Sequence, residues 1–145
     1  MSSIELFYEN IKPLKLQCST FKKYINQLIL NELSILGNIN IIFCSDEYLL
    51  KINKQYLEHD YYTDIITFNY VENDIIAGDL FISYERIKEN AESYETEVKR
   101  EVVRVVFHGI LHLVGYNDKT ESEKKIMREK EDFYLQRVNF EEIKL

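Results

Sequence analysis

The spacing of apolar residues changes several times along the chain, and each change marks the boundary of a predicted element. Short apolar and β-branched runs predict four strands, at residues 4–8, 39–44, 65–70 and 77–83. Apolar residues three or four apart predict helices at residues 19–33, 84–93 and 96–114. Two further helices are predicted, one capped by Ser45 or Asp46 and one that starts from a capping box at Thr120. The predicted order is therefore βαβαββααα.

This order of elements indicates the fold class. The chain has one Pro and four Gly in 145 residues, no stretch with the composition of a linker and no internal repeat, so one domain spanning residues 1–145 is expected. Strands mixed with helices around a central hairpin predict an α+β domain, in which a small mixed sheet of about four strands packs against about five helices. Gly37 is expected to form the turn before the second strand.

The helix predicted at residues 96–114 has the most regular apolar pattern in the chain. Its apolar arc is wide, so the helix is expected to be largely buried, and Gly115 follows at the position of a left-handed C-terminal residue. The last helix is expected to face inward with Ile126, Met127, Phe133, Tyr134 and Val138.

Composition and cysteine content narrow the class of protein. Hydrophobic residues make up 46% of the chain and aromatic residues 13%, which is typical of a folded globular domain. Cys18 and Cys44 are too few for a disulfide scaffold, and Cys44 ends an apolar strand, so it is expected in the core. No apolar run has the length of a signal peptide or a membrane span. A cytoplasmic protein with no membrane partner is expected.

The net charge of −7 counts against a protein that coats nucleic acid through a basic surface. The charge is unevenly distributed, however. Residues 99–130 hold eight basic and five acidic side chains, a local charge of +3, and the rest of the chain carries −10. A bound divalent ion would raise the local charge to +5. An enzyme with a restricted, locally positive RNA site is therefore compatible with the composition.

Candidate metal ligands lie at the end of the buried helix. His108 and His112 are four residues apart, so both imidazoles lie on one helix face, one turn apart. Gly115 ends the helix and allows Asp118 to return toward the same point as a third ligand. Two imidazoles and a carboxylate, with a fourth position open for water, form the pattern of a catalytic zinc site.

Two simpler interpretations stay open at this point. Both histidines are ordinary helix residues in most proteins with this spacing, and Asp118 has the position of a turn or cap residue. The interpretation as ordinary helix residues is weakened because two imidazoles in an apolar helix are costly to bury without a partner. Gly109 occupies the position where zinc peptidases carry a glutamate base, and a glycine inside a helix indicates that something approaches the backbone there.

The run HGILHLVGYND, at residues 108–118, resembles the signature of the YbeY family of bacterial endoribonucleases, H-G-x-L-H-L-x-G-Y-D-H. Here Asn117 replaces the usual Asp, and Asp118 stands in the position of the third His. Residues 63–68, TDIITF, and residues 78–83, GDLFIS, resemble two further family segments. The resemblance extends over residues 53–131 in the family's order and spacing.

This resemblance implies a fold, an activity and a set of site residues. It implies a compact α+β domain with one zinc ion held by His108, His112 and Asp118. The implied activity is cleavage of single-stranded RNA in 16S rRNA 3′-end maturation and late quality control of the 30S ribosomal subunit. Thr63 and Asp64 are the implied substrate-binding residues, and the implied location is cytoplasmic. The catalytic residues beyond the metal ligands, and the attacking group, water or ribose 2′-OH, are left open.

One departure from the family pattern concerns substrate binding. Leu57 stands where the family has an arginine regarded as important for activity, and leucine cannot bind phosphate. The candidates for a compensating cation are Lys54, His59, Arg86 and Arg104. The tyrosines available to stack on unpaired bases, or simply to pack, are Tyr56, Tyr61, Tyr62 and Tyr70.

Two other functions stay open beside the endoribonuclease. Leu57 motivates a metal-binding ribosome-assembly factor with little nuclease activity of its own. The metal pattern alone also fits a metallohydrolase of a peptide or a small molecule, which Gly109 makes less suitable for peptides because the glutamate base is missing.

Overall fold

A four-stranded sheet forms the centre of the protein in the computed structural model, which describes residues 2–143. Its strands are β1 (Ser3–Glu9), β2 (Ile35–Cys44), β3 (Ile65–Asn69) and β4 (Ile75–Ser83). They lie in the order β1-β2-β4-β3. The first three in this order are parallel, and β3 is antiparallel to β4 at the edge. A helix connects β1 to β2, as a parallel pair requires, while a short loop joins β3 and β4 into a hairpin.

Within the described residues, five helices cover the sheet: α1 (Cys18–Asn31), α2 (Asp46–Leu57), α3 (Tyr84–Ser93), α4 (Val98–Val114) and α5 (Glu121–Leu135). The core contains residues of α1, α4 and α5 packed on one sheet face, and a smaller cluster lies between α2 and the other face. The predicted element order and the α+β fold with a mixed four-stranded sheet are confirmed. The prediction of one domain for residues 1–145 includes residues 1, 144 and 145, which lie outside the described residues.

Side chains along β2 point alternately to the two faces of the sheet, and this explains why apolar residues pack on both faces. Ile39, Ile41 and Phe43 are fully buried on the face that packs against α1 and α4. Cys44 points to the other face and packs with Leu49 of α2 and with Ile66. Cys44 is therefore a core residue, as predicted, and its burial raises the pKa of the thiol to about 12. A thiol with this pKa is not a nucleophile at neutral pH.

Two predictions about local structure are wrong. Gly37 lies inside β2, not in a turn, and a Cβ there would be 2.7 Å from Cγ2 of Ile75. The register between β2 and β4 shifts at this point, so the close approach of β4 explains the glycine. Ile126 and Phe133 are 48% and 40% exposed instead of inward-facing. The core meets only one narrow face of α5, and these two residues lie just outside it.

Helix α4 is seated unusually close to the sheet at Gly109. A Cβ at this position would lie 2.8 Å from Cδ1 of Ile65 and 3.0 Å from Cδ1 of Leu80. The expectation that something approaches the backbone at Gly109 is therefore confirmed: the neighbouring groups are side chains of β3 and β4. This contact fixes the height of His108 and His112 above the sheet. Within the described residues, no helix combines the length and apolarity needed to cross a membrane.

Candidate functional site

A stripe of three partly open side chains runs along helix α4, between residues that are mostly buried. Arg104, His108 and His112 follow one another at four-residue intervals, and each is only partly covered. Residues four apart lie above one another on a helix, so the three side chains share one face. The helix therefore brings two imidazoles and a guanidinium to one line at the protein surface.

The turn after α4 brings Asp118 to the same place. Gly115 adopts a φ of 124°, its N–H donates to the carbonyl of His112, and the N–H of Tyr116 donates to the carbonyl of Leu111. These two hydrogen bonds form a Schellman motif, in which glycine is favoured because of its positive φ. The chain reverses direction there, and Asp118 comes back over the last turn of the helix.

His108, His112 and Asp118 form a compact triangle of donor atoms. Nε2 of His108 is 3.1 Å from Nε2 of His112, and Oδ2 of Asp118 lies 3.2 Å from the first and 3.3 Å from the second. A tetrahedral zinc ion with bonds of about 2.0–2.1 Å keeps its ligand atoms about 3.3 Å apart. The donor types and the spacing of this cluster therefore fit a divalent metal with three protein ligands.

Glu131 of α5 orients the first imidazole. Its Oε2 accepts a hydrogen bond from Nδ1 of His108 at 2.6 Å, so the remaining lone pair, on Nε2, points into the triangle. Burial works against the charged form of Glu131, but the hydrogen bond and charge of His108 and the charge of Arg104 outweigh it and lower the carboxyl pKa. Burial alone would lower the pKa of His108, and the contact with Glu131 raises it instead. A carboxylate behind a histidine is the usual support of a metal ligand.

Arg104 completes the charge balance behind the triangle. Its guanidinium donates to Glu101 at 2.8 Å and to Glu131 at 3.1 Å, and both carboxylates are almost fully buried. Burial opposes the charge of Arg104, but the two carboxylates raise its pKa above the usual value. Two buried acids, one arginine and His108 thus form one connected network in which each charge has a partner.

A groove of about 570 Å³ opens in front of the triangle. Thr63 and Asp64, the predicted substrate-binding residues, line it together with His108, His112 and Asp118. Leu57 also lines the groove and is 40% exposed, so an apolar side chain occupies this position in the wall. The structure therefore brings the five predicted site residues to one depression. Their roles in binding metal or substrate stay predictions.

The side-chain amides of Asn53 and Asn90 hold the groove wall in place. Asn53 of α2 is buried, and its Nδ2 donates a hydrogen bond to the carbonyl of Tyr61 at 2.8 Å. The backbone carbonyl of Asn53 accepts a hydrogen bond from the backbone N–H of His59. The Asp64 carboxylate accepts a hydrogen bond from Nδ2 of Asn90 at 3.2 Å. These contacts tie the loop between α2 and β3 to helices α2 and α3.

Only one of the four candidate cations lines the groove. His59 does so, whereas Lys54 forms an exposed pair with Asp60. Arg86 is held by both carboxylate oxygens of Asp46, and Arg104 lies behind the triangle in the buried network. Sequence reasoning did not identify Lys119, which lines the groove next to Asp118.

The four candidate tyrosines are separated in the structure. Tyr61 alone of the four lines the groove, where its ring stacks on His59. Tyr62 lies over the guanidinium of Arg86, and Tyr56 meets Phe68 edge to face. Tyr61 and His59 are therefore the aromatic pair available to an unpaired base at this site.

A second network clamps the turn that carries Asp118. Glu32, at the end of α1, accepts hydrogen bonds from the hydroxyls of Tyr116 and Tyr134 and from Nζ of Lys130. Its side chain is largely buried. Burial raises the carboxyl pKa, but the two hydroxyls and the lysine outweigh it, so the pKa is below its ordinary value. The network joins α1, the turn after α4 and α5 at one carboxylate.

Replacing Glu32 by glutamine is expected to lower the free energy of unfolding by about 2 kcal/mol at neutral pH, because three donors lose a charged acceptor. The lowered pKa gives the sign of the pH dependence. The stabilisation by Glu32 is present above the ordinary pKa of 4.5 and is lost as the pH falls through the folded-state value. Urea unfolding at neutral and at acidic pH should therefore show a difference between wild type and Glu32→Gln that shrinks as the pH falls below 4.5 and vanishes below the folded-state pKa of Glu32.

Glu5→Gln is the matched control for this prediction, because Glu5 is exposed on β1. It should leave the unfolding free energy within about 0.5 kcal/mol of wild type at either pH. A Glu32→Gln protein that is as stable as wild type at neutral pH would show that the clamp contributes nothing.

Two acidic residues of the site, Glu101 and Glu131, are not among the site residues predicted from the sequence. Glu101 and Glu131 are the acidic members of otherwise apolar faces of α4 and α5. A carboxylate on a buried helix face requires a charged or hydrogen-bonded partner, which is the signal that would have identified both.

Comparison with known proteins supports the family suggested by the motif. A family model described as Endoribonuclease YbeY matches residues 8–139. The chain is 46% identical to an Endoribonuclease YbeY of Cytophaga hutchinsonii over 134 residues, which cover 92% of this chain and 94% of that protein. It is 46% identical over 129 residues to that of Christiangramia forsetii, covering 89% and 90%.

A solved structure also matches. The solution structure of TM1509 from Thermotoga maritima aligns with a TM-score of 0.63 and 26% sequence identity, over 90% of this chain and 87% of that one. The family model covers most of the residues described above, including the histidine pair, Asp118 and Glu131. The chain belongs to the Endoribonuclease YbeY family.

Proposed function

We propose that this protein is a zinc-dependent endoribonuclease that cleaves single-stranded RNA. The observation that supports this proposal most strongly is the triangle of His108, His112 and Asp118, whose donor atoms lie 3.1–3.3 Å apart and which lines an open groove. Membership of the family supports cleavage of RNA. We further propose that the substrate is the 16S rRNA precursor within the 30S subunit, that cleavage matures its 3′ end and contributes to late quality control, and that the protein acts in the cytoplasm.

Each residue of the site has a distinct task in this proposal. His108, His112 and Asp118 would hold the ion, and Glu131 keeps the Nε2 lone pair of His108 directed at it. A bound zinc ion supplies a Lewis acid for the phosphodiester and lowers the pKa of water at the site. Asp118 would add a negative charge where the family usually has a neutral histidine, and this charge would make water bound at the site less acidic. Arg104 offsets the charge of Glu131.

The groove residues would position the strand. Thr63 and Asp64 lie in the wall and offer a hydroxyl and an acceptor to a ribose or a base. The stacked rings of His59 and Tyr61 offer a flat surface to an unpaired base. A base in a duplex cannot reach such a surface without leaving its stack, which favours a single-stranded substrate.

Exposure of Leu57 in the groove favours one alternative, a metal-binding ribosome-assembly factor with weak nuclease activity. Leucine gives no charged contact to a phosphate, so binding of the substrate would depend on other cations. The assembly-factor hypothesis predicts association with 30S subunits without RNA cleavage.

Metal removal tests the proposed function directly. Protein stripped with a chelator is expected to lose cleavage of a single-stranded oligoribonucleotide, and addition of one equivalent of zinc should restore it. Elemental analysis of the untreated protein should give one metal ion per chain. Duplex RNA of the same sequence is the control substrate and should be cleaved at least about tenfold more slowly, because its bases are stacked.

Two outcomes would contradict the proposal. Cleavage that survives complete removal of metal would exclude the triangle as the reactive centre. Metal-replete protein that binds 30S subunits but cleaves no RNA would favour the assembly factor.

A further inference from the structure

A second depression lies on the other side of the triangle. It has a volume of about 220 Å³ and shares His108 and Asp118 with the groove. Its remaining wall is formed largely by α5 and includes the basic residues Lys124 and Arg128. The triangle is therefore at a junction, open to the groove on one side and to this basic depression on the other.

Helix α5 points these two cations toward the site. Glu131 contacts His108, Arg128 lies three residues before Glu131, and Lys124 lies four residues before Arg128. Residues three and four apart share a helix face, so Lys124, Arg128 and Glu131 form one row. Lys125 lies about 100° around the helix from Lys124 and lines neither the groove nor the second depression.

The two cations of this row have few partners among the described residues. Arg104, the other cation in the depression, is paired with two buried carboxylates. Lys124 makes only an exposed contact with Glu121 at 3.6 Å, which is a weak interaction, and Arg128 forms no ion pair within the described residues. Both side chains are exposed. Two cations are thus available to an anion that approaches the metal cluster from this side.

The groove itself offers little positive charge. Among its described lining residues, Lys119 is the one lysine and there is no arginine, while Asp64 and Asp118 are acidic. Leu57 removes the charged contact expected in that wall. A polyanion crossing the triangle therefore meets its strongest unpaired positive charge on α5 and not in the groove.

We propose that Lys124 and Arg128 bind the RNA phosphate that flanks the scissile one, so that the strand passes from the groove across the triangle into the second depression. This inference rests on the proposed endoribonuclease function. The pair supplies on α5 a phosphate contact that Leu57 cannot make on α2. Arg128 offers two parallel N–H donors to a phosphate, and Lys124 acts as a point charge.

The test compares Arg128→Glu with Lys125→Glu in cleavage of a single-stranded oligoribonucleotide by the zinc-loaded protein. Both variants change the net charge equally and lie on exposed positions of α5, so only local contact distinguishes them. Arg128→Glu is expected to raise KM about tenfold with kcat within about twofold of wild type. Lys125→Glu should change KM less than about twofold.

Salt dependence provides a second readout. The slope of the logarithm of RNA affinity against the logarithm of salt concentration, measured with a fluorescent oligoribonucleotide, should decrease by about 0.7 for each lost phosphate contact. The double variant Lys124→Ala with Arg128→Ala, which loses both cations of the proposed phosphate contact, is therefore expected to reduce the slope by about 0.7, and Arg128→Lys should keep the wild-type slope.

The outcomes separate this inference from the proposed function. Wild-type protein that neither binds nor cleaves RNA would refute the function on which the inference rests. Wild-type cleavage with equal KM values for Arg128→Glu and Lys125→Glu would overturn the inference and leave the function intact. Unchanged RNA affinity with weakened binding of Arg128→Glu to 30S subunits would overturn it in favour of a ribosomal-protein contact.

Discussion

Replacing His112 by alanine is expected to abolish metal binding and to reduce RNA cleavage at least about a thousandfold, which corresponds to about 4 kcal/mol of lost transition-state stabilisation. His112 contributes one corner of the triangle, 3.1 Å from His108 and 3.3 Å from Asp118. Its ring is partly exposed, so removing it leaves no large buried cavity. The fold should persist, with the unfolding free energy of the metal-free protein within about 1 kcal/mol of wild type.

Elemental analysis, oligoribonucleotide cleavage and circular dichroism of purified His112→Ala check this prediction together. The matched control is His59→Ala, which removes an imidazole from the same groove but outside the triangle. It should retain one metal ion per chain. If His112→Ala kept both its metal and its cleavage rate, the triangle could not be the metal centre.

Glu131→Gln is expected to have the second largest effect, because one substitution disturbs both the metal cluster and the core. The amide cannot provide a charged acceptor to Nδ1 of His108, and Arg104 keeps only one of its two carboxylates. Loss of a carboxylate behind a metal-binding histidine typically lowers metal affinity 10- to 100-fold. The buried network should also lose about 2–3 kcal/mol of stability.

Metal affinity is measured by competition with a chelating indicator, and stability by urea unfolding of the metal-free protein. Glu129→Gln makes the same chemical change at an exposed position of the same helix and should alter neither quantity. An unchanged metal affinity in Glu131→Gln would show that Glu131 stabilises the core without orienting His108. If Glu131→Gln were as stable as wild type but bound metal more weakly, Glu131 would orient His108 without stabilising the core.

Local spacing predicted the part of the site that a single helix and its end determine. His108 and His112 lie four residues apart on a regular helix, and a positive-φ glycine at Gly115 brings Asp118 back over it. These relations depend on helix geometry and on one turn, which sequence patterns describe well. The nine elements of residues 2–143 are predictable from their apolar periods and caps, and the mixed sheet follows from their order and the central hairpin.

Contacts between distant elements were not predictable in this way. Glu131 reaches His108 across 23 residues, and Glu32 reaches Tyr116 across 84, so both depend on how α1, α4 and α5 cross. The turn predicted at Gly37 is wrong because a glycine is required there by the close approach of β4 and not by a change of chain direction. The apolar character of Ile126 predicts an inward position, but Ile126 is exposed because the face of α5 that packs on the core is narrower than the apolar arc of the helix.

The order of elements has a consequence for biogenesis. Ribosomes synthesise the chain from its N-terminus, so all four described strands, which end at Ser83, emerge before His108 does. Until α4 follows, the sheet face with Ile39, Ile41 and Leu80 lacks one of the helices that cover it, and part of this face is open to aggregation. The same helix that protects this face delivers the first two residues of the triangle. The three proposed metal ligands can therefore come together only after the sheet face has received this helix.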